Sequence, residues 1–478
     1  MRELIERSRP EKRAGRRERR DATRFDWASP LWREGSRRWQ FAPLMRDSDA
    51  DVVVVGAGFS GLWTAHHLKL VDPGLDVMVI DARQPGFGAS GRNGGWCSAL
   101  FPVPLGDVAA RHGTASALRL QQAMVTAVDS VGEFVQSHHI DAGWVRGGTL
   151  TVATNTAQQS RLRAGLESRR KLGLGDHRWL DADELGSRVS VHGALGAVFD
   201  PDCAALNPQA LVDGLVDEVT RQGVRVHGET RVARVGNGYV ETEGVGGHCF
   251  VTARKVVLAA EAWNSAFPRR RRTVVPLYSY VVATEPLDAD MLGTIGWSGR
   301  ETLSEGRNMV TYAQVTADNR VVFGGRGAPY AFGSDIHGSR DVNERVHRAV
   351  IGTMHELFPA LTGVRITHRW GGPLGVPRDW HPSVHQDPRT GAMVVGGYVG
   401  DGVALSWLAG LIAAHRVVGA DHDLLGLPLD GHVPRRWEPE PLRWTGINAG
   451  LVTTALADAT ERRTGRESRA LRALMRLF

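Results

Sequence analysis

The chain has 478 residues, 42% of them hydrophobic, which is long enough for two domains or for one domain with a second inserted into it. Its formal net charge of +6 comes from the two ends, because residues 1–25 hold ten basic and five acidic side chains and residues 461–478 hold six and two. The region between them is close to neutral, which argues against nucleic-acid binding by the body of the protein.

Apolar runs and cysteine spacing bear on location and on metal or disulfide chemistry. No run of about 18 apolar residues is present, and the basic N-terminus lacks the apolar core of a secretory signal. We therefore expect a cytoplasmic protein with no transmembrane segment. Cys97, Cys203 and Cys249 are scattered without a Cys-x-x-Cys pair, which argues against disulfides, a zinc site and a dithiol redox centre.

The first predicted strand leads into a glycine motif. Val52–Val55 is an unbroken β-branched run, typical of a strand covered on both faces of a parallel sheet. The next residues, GAGFSG, have the form GxGxxG, with glycines at Gly56, Gly58 and Gly61. A helix is predicted from about residue 60 to residue 70, and the free N–H groups at its start can bind a pyrophosphate.

A second predicted strand, Asp76–Ile80, ends in an acidic residue, Asp81, which lies twenty residues beyond Gly61. A carboxylate at that distance can accept hydrogen bonds from the adenosine ribose of a dinucleotide. Here a strand, a glycine motif, a helix and an acidic residue occur together at the spacing of such a site. The sequence therefore predicts a dinucleotide-binding unit rather than a purely structural turn.

A glycine-rich loop, GFGASGRNGGW at Gly86–Trp96, follows the acidic residue closely. Such a loop allows the backbone to come into contact with a large cofactor, and it is unusual after the second strand of a nicotinamide site. We therefore expect a flavin dinucleotide. Three side chains of the loop could donate to its phosphate and ring oxygens, namely Ser90, Arg92 and Asn93.

These motifs together resemble the N-terminal FAD-binding region of the D-amino-acid oxidase superfamily, the glycine, sarcosine and gamma-glutamylputrescine oxidases in particular. The resemblance continues through ALNP at Ala205–Pro208, the Val232 region that packs on adenine, ARKVVLAAEAW up to Trp263, and the segment Gly396–Gly419. It implies an α/β fold, in part α+β, in which a Rossmann-like FAD-binding domain is interleaved with a substrate domain built on an antiparallel sheet.

The resemblance also implies a division of the chain. The FAD-binding domain is predicted to be discontinuous, with segments 46–110, 185–265 and 375–435. The substrate domain is predicted from the segments 111–184 and 266–374. Residues 1–45 are expected to form a basic N-terminal extension, whose strongly basic part, residues 1–25, is predicted to be solvated, and residues 436–478 a tail with an amphipathic helix.

The predicted substrate domain contains several strand-like stretches, Leu150–Thr154, Tyr278–Thr284, Met309–Gln314 and Arg320–Gly325. The polar groups on or beside them that could line a substrate pocket are Tyr278, Tyr280, Tyr312 and Arg326. For each of these, a strand residue with its tip in water is an equally good alternative. Trp96 and Trp370 are flanked by glycines and are candidate neighbours of the flavin ring.

A strand–turn–helix near the C-terminus completes the predicted cofactor site. The strand Ala392–Val395 precedes a glycine turn and a helix over about Gly402–Val418, whose positive end can face the flavin where negative charge accumulates on reduction. The full set of predicted cofactor-binding residues is Gly56, Gly58, Phe59, Ser60, Gly61, Asp81, Ala82, Ser90, Arg92, Asn93, Gly94, Gly95, Val232, Ala260, Gly397, Gly400, Asp401, Gly402 and Val403.

Metal binding and covalent attachment of the cofactor are both disfavoured. The pair His381 and His385 in HPSVH has metal-ligand spacing, but Pro382 makes a helix doubtful and no third ligand is apparent. The segment Trp370–Val395 has no cysteine, and the glycine-rich loop has no histidine, through which some relatives in the resembling family tether FAD. FAD is therefore expected to bind non-covalently, with no metal.

The resemblance implies oxidation of a C–N bond in an amine by FAD, with hydride passing from the α-carbon to flavin N5 and the imine then hydrolysed. Family members that act on α-amino acids clamp the substrate carboxylate with an arginine, and Gly372 stands at the matching position here. This favours a small-molecule amine without an α-carboxylate, with O₂ or an unknown acceptor taking the electrons. The alternatives are an oxidase or dehydrogenase of D- or N-methyl amino acids, a flavin hydroxylase using NAD(P)H, and a non-catalytic flavin-binding protein.

Overall fold

The computed structural model describes residues 28–37, 39–327 and 329–475. The strands are β1 Ser48–Val55, β2 Val77–Ile80, β3 Trp96–Ser98, β4 Thr149–Ala153, β5 Arg178–Leu180, β6 Gly196–Asp200, β7 Cys203–Ala205, β8 Arg225–His227, β9 Thr230–Gly236, β10 Tyr239–Gly244, β11 Gly247–Leu258, β12 Val275–Thr284, β13 Thr302–Glu305, β14 Thr311–Val315, β15 Val321–Gly325, β16 Ile366–Val376, β17 Ser383–Gln386 and β18 Met393–Gly396. The α-helices are α1 Phe59–Val71, α2 Leu105–His112, α3 Thr114–Ser137, α4 Thr156–Lys171, α5 Ala182–Gly186, α6 Pro208–Arg221, α7 Ala289–Ile295, α8 Glu344–Leu357, α9 Gly402–Val418, α10 Leu442–Thr464 and α11 Arg469–Met475.

The first large sheet has the strand order β17-β18-β11-β1-β2-β8, with the hairpin β9–β10 attached to β11. Its central strands β11, β1 and β2 are parallel, and Val53 lies opposite both Val256 and Met78. Val53 and Val54 are fully buried, as expected for a strand covered on both faces. Because parallel strands end at the same edge, the glycine turn, Asp81 and residues 259–261 meet there.

Helices α1, α3, α6 and α9 share one core with this sheet, built around residues such as Trp63, Leu120, Leu215 and Leu408. The helices α1 and α9 approach closely, since a Cβ on Gly410 would lie 2.8 Å from the Cβ of Trp63. Helix α3 therefore differs from the prediction that placed it in the substrate domain. Its apolar stripe packs into the core of the cofactor unit.

The second large sheet has the order β16-β12-β15-β14-β13-β4-β6-β5 and is antiparallel except for the pairing of β4 with β13. Its core includes Phe323 and Trp297, and α8 packs on it through Met354. Strand β6 lies in this sheet, although residues 185–265 were predicted in the other domain. The reason is its pairing with both β4 and β5.

An N-terminal segment, which we call the strap (residues 28–37 and 39–44), crosses both sheets. Leu31 and Trp32 are buried against the second sheet, and the Nε1 of Trp39 donates to Asp213 on α6 at 3.1 Å. Further along, the N–H of Leu44 donates to Thr230 of β9 at 2.9 Å. The strap is therefore a packed part of the predicted basic extension 1–45, and residues 1–27, which contain the part predicted to be solvated, lie outside the described chain.

The C-terminal region contains more helix than expected. Helix α10 is held by polar contacts, with Glu461 pairing with Arg161 at 2.9 Å and Asp458 accepting from the backbone of Asn308 at 2.7 Å. The short helix α11 lies where an amphipathic helix was predicted, and residues 476–478 of that prediction lie outside the described residues. Within the described chain, no helix has the length and apolar content needed to span a bilayer.

Candidate cofactor and active site

A cavity of about 450 Å³ opens at the edge where the parallel strands end. Many of the residues predicted to bind the cofactor line it, namely Gly56, Gly58, Phe59, Ser60, Asp81, Ala82, Ser90, Asn93, Val232, Ala260, Gly400, Gly402 and Val403. The remaining predicted residues are absent from its lining: Gly61, in the first turn of α1, and Arg92, Gly94, Gly95, Gly397 and Asp401, in the loops near the cavity.

The turn after β1 has no room for a Cβ at the three glycine positions of its motif. A Cβ on Gly56, whose φ is +112°, would lie 2.6 Å from the carbonyl oxygen of Ala259, and a Cβ on Gly61 would lie 1.8 Å from the carbonyl oxygen of Gly56. A Cβ on Gly58 would lie 2.8 Å from the Oγ of Ser90. The turn therefore brings backbone directly to the cavity wall, as a pyrophosphate site requires.

Helix α1 begins at this wall without a side-chain cap from Gly58. The N–H of Phe59 donates to the Oγ of Ser90 at 2.8 Å. In the described part of the chain, the N–H groups of Ser60 and Gly61 have no protein acceptor. Unpaired N–H groups at the positive end of a helix are suited to bind an anion such as a pyrophosphate.

Asp81 holds the turn as well as bordering the cavity. Its carboxylate accepts the N–H of Ala57 at 2.7 Å and that of Arg83 at 2.8 Å. Burial raises the pKa of Asp81 to about 6, against the effect of these two hydrogen bonds. The carboxylate thus fixes the strand–helix turn and still has lone pairs for hydroxyl groups of a ligand.

Side chains from outside the glycine-rich loop hold four successive carbonyl groups of that loop. Trp370 Nε1 donates to the oxygen of Arg92 at 2.8 Å, and Trp32 Nε1 donates to that of Asn93 at 2.7 Å. Gln314 Nε2 donates to the oxygens of Gly94 at 2.6 Å and Gly95 at 3.0 Å. The loop conformation is therefore set by the second sheet and the strap together.

Arg92 contacts protein groups instead of lining the cavity, in contrast to the prediction that it donates to the cofactor. Its side chain is 4% exposed and pairs with Asp341 at 2.6 Å. It also donates to the carbonyl oxygens of Phe87 at 2.8 Å and Gly371 at 3.1 Å. A buried guanidinium needs such partners, and here they connect the loop to β16.

None of the six pocket candidates is part of the lining of this cavity. Tyr278 and Tyr280 turn their hydroxyls to the carbonyl oxygens of residues 337 and 340, at 3.5 and 2.6 Å. Trp370 is fully buried behind the loop. Trp96 and Tyr312 pack edge to face, with ring centroids 6.2 Å apart, and the Tyr312 ring lies against Gly94 of the glycine-rich loop.

Arg326 lies next to the turn that precedes α9. Its guanidinium donates to the carbonyl oxygen of Val399 and would be 2.9 Å from a Cβ on Gly400, which lines the cavity. Burial lowers the pKa of Arg326, and burial raises the pKa of Asp401 to about 6, with each charge opposing the effect on the other. Arg326 and Asp401 are therefore oppositely charged groups beside the turn that precedes α9.

Glu261 is a cavity residue that the sequence analysis missed. Its carboxylate accepts the N–H groups of Gly397 at 2.9 Å and Tyr398 at 3.4 Å. Its φ is +45°, a left-handed conformation that is strained for glutamate. Burial raises the pKa of Glu261 to about 7. The signal in the sequence was an acidic residue among small apolar ones in LAAEAW.

Apolar side chains complete the wall and were also missed. They come from separate parts of the chain, namely Phe87, Trp263, Phe267, Ile336 and Leu374. Tyr398 adds a hydroxyl that hydrogen-bonds to the Oγ of Ser60 at 2.8 Å. A largely apolar wall with a few fixed polar groups is typical of a cofactor site.

In HPSVH, His381 lies two residues before β17 and His385 lies on it, so neither is on a helix. The ring of His381 contacts the carbonyl oxygen of Pro382 at 2.8 Å. Among the residues that the structure describes, metal-ligand spacing occurs at His177, Asp200 and Asp202. Arg146 already pairs with Asp202 there at 2.8 Å, and this cluster does not border the cavity.

The fold and the cavity define a Rossmann-type protein with a dinucleotide-binding site. The chain matches the family model DAO, described as FAD dependent oxidoreductase, over residues 51–416, and it belongs to this family. The protein is therefore an FAD-dependent oxidoreductase.

The chain is also similar in sequence to individual oxidoreductases. The probable oxidoreductase OrdL of Haemophilus influenzae is 27% identical over 398 residues, which cover 81% of this chain and 87% of that protein. The gamma-glutamylputrescine oxidoreductase of Escherichia coli is 29% identical over 384 residues, covering 79% and 86%.

The structure of glycine oxidase from Geobacillus kaustophilus superposes with a TM-score of 0.67 at 21% identity and covers 81% of this chain and 100% of that chain. L-proline dehydrogenase from P. horikoshii superposes with a TM-score of 0.65 at 18% identity, covering 80% and 96%. These likenesses show a shared fold and confirm the predicted mixed α/β architecture.

Proposed function

We propose that the protein oxidises the C–N bond of a small-molecule amine that has no carboxylate on the reacting carbon. Bound FAD would accept the hydride, and this is the chemistry that the cofactor supplies. The similarity to a gamma-glutamylputrescine oxidoreductase supports an amine substrate. The environment of Gly372 supports the absence of the carboxylate.

Strand β16 carries no guanidinium at the predicted clamp position. A Cβ on Gly372 would lie 3.5 Å from the Cδ of Arg92, whose charge is engaged by Asp341. The nearest arginines along the chain point elsewhere. Arg369 pairs with Glu344 at 3.5 Å, and Arg378 pairs with Glu438 at 3.0 Å. This arrangement supports a substrate that needs no α-carboxylate clamp.

The chain's own groups would bind and orient the cofactor and the amine. The glycine turn and the start of α1 would hold the pyrophosphate, Asp81 the ribose, and Val232 the adenine. Phe87, Trp263 and Leu374 would exclude water from the cavity. No protein base is required by hydride transfer from a neutral amine.

A second candidate is an oxidase or dehydrogenase of D-amino acids or N-methyl amino acids. Arg326 favours it, because its partly buried guanidinium lies beside Gly400, a residue of the cavity wall, and donates to the carbonyl oxygen of Val399. Asp401 nearby offsets part of its positive charge. Arg326 could therefore bind a carboxylate, at the α position or further along the substrate.

Anaerobic flavin reduction by a substrate panel tests the proposal. We expect polyamines, acylated polyamines or N-methyl amines to bleach the flavin faster than D-, L- and N-methyl amino acids. The expected difference in the rate of flavin reduction is roughly 10- to 150-fold, which corresponds to the free energy of one missing hydrogen bond to a charged group. Reoxidation of the flavin by O₂ or by another acceptor, and a cytoplasmic location, are further predictions.

The Arg326→Met variant separates the two candidates. If amino acids reduce the wild-type flavin faster and this variant loses only that activity, the second candidate is correct. Bleaching by NADPH instead of an amine would indicate a hydroxylase. Bleaching by neither would indicate a non-catalytic flavin-binding protein.

We also expect the FAD to be non-covalent, as the sequence predicts. Cys97, Cys203 and Cys249 are all buried, and none borders the cavity. Burial raises the pKa of Cys203 to about 12, so its reactive thiolate is disfavoured. Acid precipitation should therefore release the yellow colour into the supernatant. Colour that stays in the washed pellet would contradict this prediction.

A further inference from the structure

We propose that Trp32 of the strap is a positioning residue for the flavin, because its indole N–H orients the peptide between Asn93 and Gly94 so that the Gly94 N–H is presented to the cofactor. This inference depends on FAD binding, which the family establishes, and not on the identity of the amine substrate.

The orientation of this peptide follows from the two cavities on either side of it. Asn93 borders the cofactor cavity, whereas Trp32 lines a separate cavity of about 220 Å³. The hydrogen bond from Trp32 Nε1 to the oxygen of Asn93, at 2.7 Å, therefore draws that carbonyl away from the cofactor side. In a trans peptide the N–H points opposite to the carbonyl. The N–H of Gly94 is thus directed to the side of the peptide opposite Trp32, next to Asn93, which borders the cavity, although Gly94 itself is not part of the lining.

The Gly94 N–H has no acceptor in the part of the chain that the structure describes. Its neighbours are different, because the N–H of Asn93 donates to Ala89 O at 3.0 Å and that of Gly95 donates to Asn93 Oδ1 at 2.8 Å. A backbone donor without a protein partner beside a cofactor cavity is available to the ligand. The N–H of Gly94 is therefore the donor in this part of the loop that remains for the flavin.

Trp32 is held rigidly enough to fix this donor before the cofactor binds. It is 3% exposed and packs edge to face on Trp370, with ring centroids 6.4 Å apart. The next part of the strap is also anchored, because Glu34 pairs with His368 at 3.1 Å. A preorganised donor needs no reordering when negative charge develops on reduction.

The expected effect concerns the relative stability of oxidised and reduced flavin. A backbone N–H directed at the flavin stabilises the reduced form, which carries more negative charge. Without the indole N–H, the Asn93 carbonyl loses its partner and the peptide can rotate. We expect the preference of the protein for reduced over oxidised flavin to fall about tenfold, which is about 30 mV for a two-electron couple.

The test is a redox titration of the purified holoenzyme against a reference dye, which requires no substrate. Trp32→Phe keeps an aromatic ring in the cluster while it removes the N–H donor, and its loss of ring volume is matched in the control. Trp39→Phe is the matched control, because it removes another indole N–H of the same strap, which donates to Asp213 at 3.1 Å and does not contact the loop. We expect a more negative midpoint potential for Trp32→Phe and an unchanged one for Trp39→Phe.

Two outcomes would overturn the proposal. One is the same potential in Trp32→Phe as in the wild type, and the other is an equal shift in both variants, which would indicate a general effect of weakening the strap. If Trp32→Phe does not fold, Trp32→His restores a ring N–H at this site. A wild-type potential in Trp32→His then supports the proposal. A midpoint potential about 30 mV more negative than that of the wild type contradicts it, because the donor has been restored.

Discussion

Replacing Gly61 with alanine should abolish FAD binding. The new Cβ would lie 1.8 Å from the carbonyl oxygen of Gly56 and 3.2 Å from Cγ1 of Val54, both in or beside the glycine turn. Backbone atoms cannot yield as a flexible side chain does, so the turn must open and withdraw the N–H groups that face the cavity. We expect a loss of about 3 kcal/mol or more in FAD affinity, measured as the ratio of flavin to protein absorbance after purification.

Gly165→Ala is a matched control for this variant. Gly165 also lies in a helix, α4, but a Cβ there meets nothing within 4 Å. Alanine should therefore stabilise the protein by roughly 0.5–1 kcal/mol and leave flavin loading complete. A Gly61→Ala protein that purifies fully yellow would show that the cofactor does not rest on this turn.

Glu261→Gln should change how the stability of the apoprotein depends on pH. The pKa of Glu261 is about 7 in the folded protein and 4.5 in the reference state, so the folded protein retains its proton to higher pH. Stability is therefore fully present below about pH 4.5 and is lost as the pH rises through 7. We expect the loss to be roughly 3 kcal/mol at 1.36 kcal/mol per pKa unit, reduced by screening from water in the open cavity.

Glutamine cannot ionise, so this part of the pH dependence should disappear in the variant. Chemical denaturation of the apoprotein at several pH values measures it. Glu344→Gln, on an exposed position of α8 that pairs with Arg369, should leave the wild-type profile unchanged. If Glu261→Gln and the wild type lose stability in parallel between pH 5 and 8, the buried carboxylate has no such role.

The glycine turn, Asp81 and the start of α9 were predictable from the sequence because each depends on local signals. A β-branched run, glycines at fixed offsets and an acid at a fixed distance specify one geometry. The predicted helix over Gly402–Val418 has the bounds that the structure shows. Arg92 was placed in the right loop, but its partner Asp341 lies 249 residues away, so the sequence could not indicate the direction of its side chain.

Whether a pocket candidate on a strand reaches the cavity depends on which face of that strand meets the cofactor. Tyr278 and Tyr280 are two residues apart on β12 and so share one face, and the sequence does not specify whether that face meets the cavity or α8. The structure places Tyr280 against His347 of α8, with ring centroids 5.2 Å apart. Register and sheet packing, which are long-range, decide such cases.

The strap and helix α10 were missed because neither has an apolar period. The apolar residues of the strap occur in short clusters, such as Leu31–Trp32 and the stretch around Leu44, without the spacing of a helix or a strand. Helix α10 is exposed at Leu442, Val452 and Leu456 and buried at Arg443, Ala457 and Glu461, the reverse of the usual pattern. It is held by ion pairs and hydrogen bonds to partners far away in the chain, which composition does not indicate.

The wall of the cofactor cavity extends along the chain from Val55 to Ser406, and this has a consequence for biosynthesis. When only β1 and β2 of the first sheet have left the ribosome, the nascent chain does not yet contain residues 259–261 or the start of α9. At about 5–20 residues per second, translation of the remaining wall takes roughly 20 to 70 s. FAD can therefore be captured only when synthesis is nearly finished, so a truncated or stalled chain should emerge without flavin.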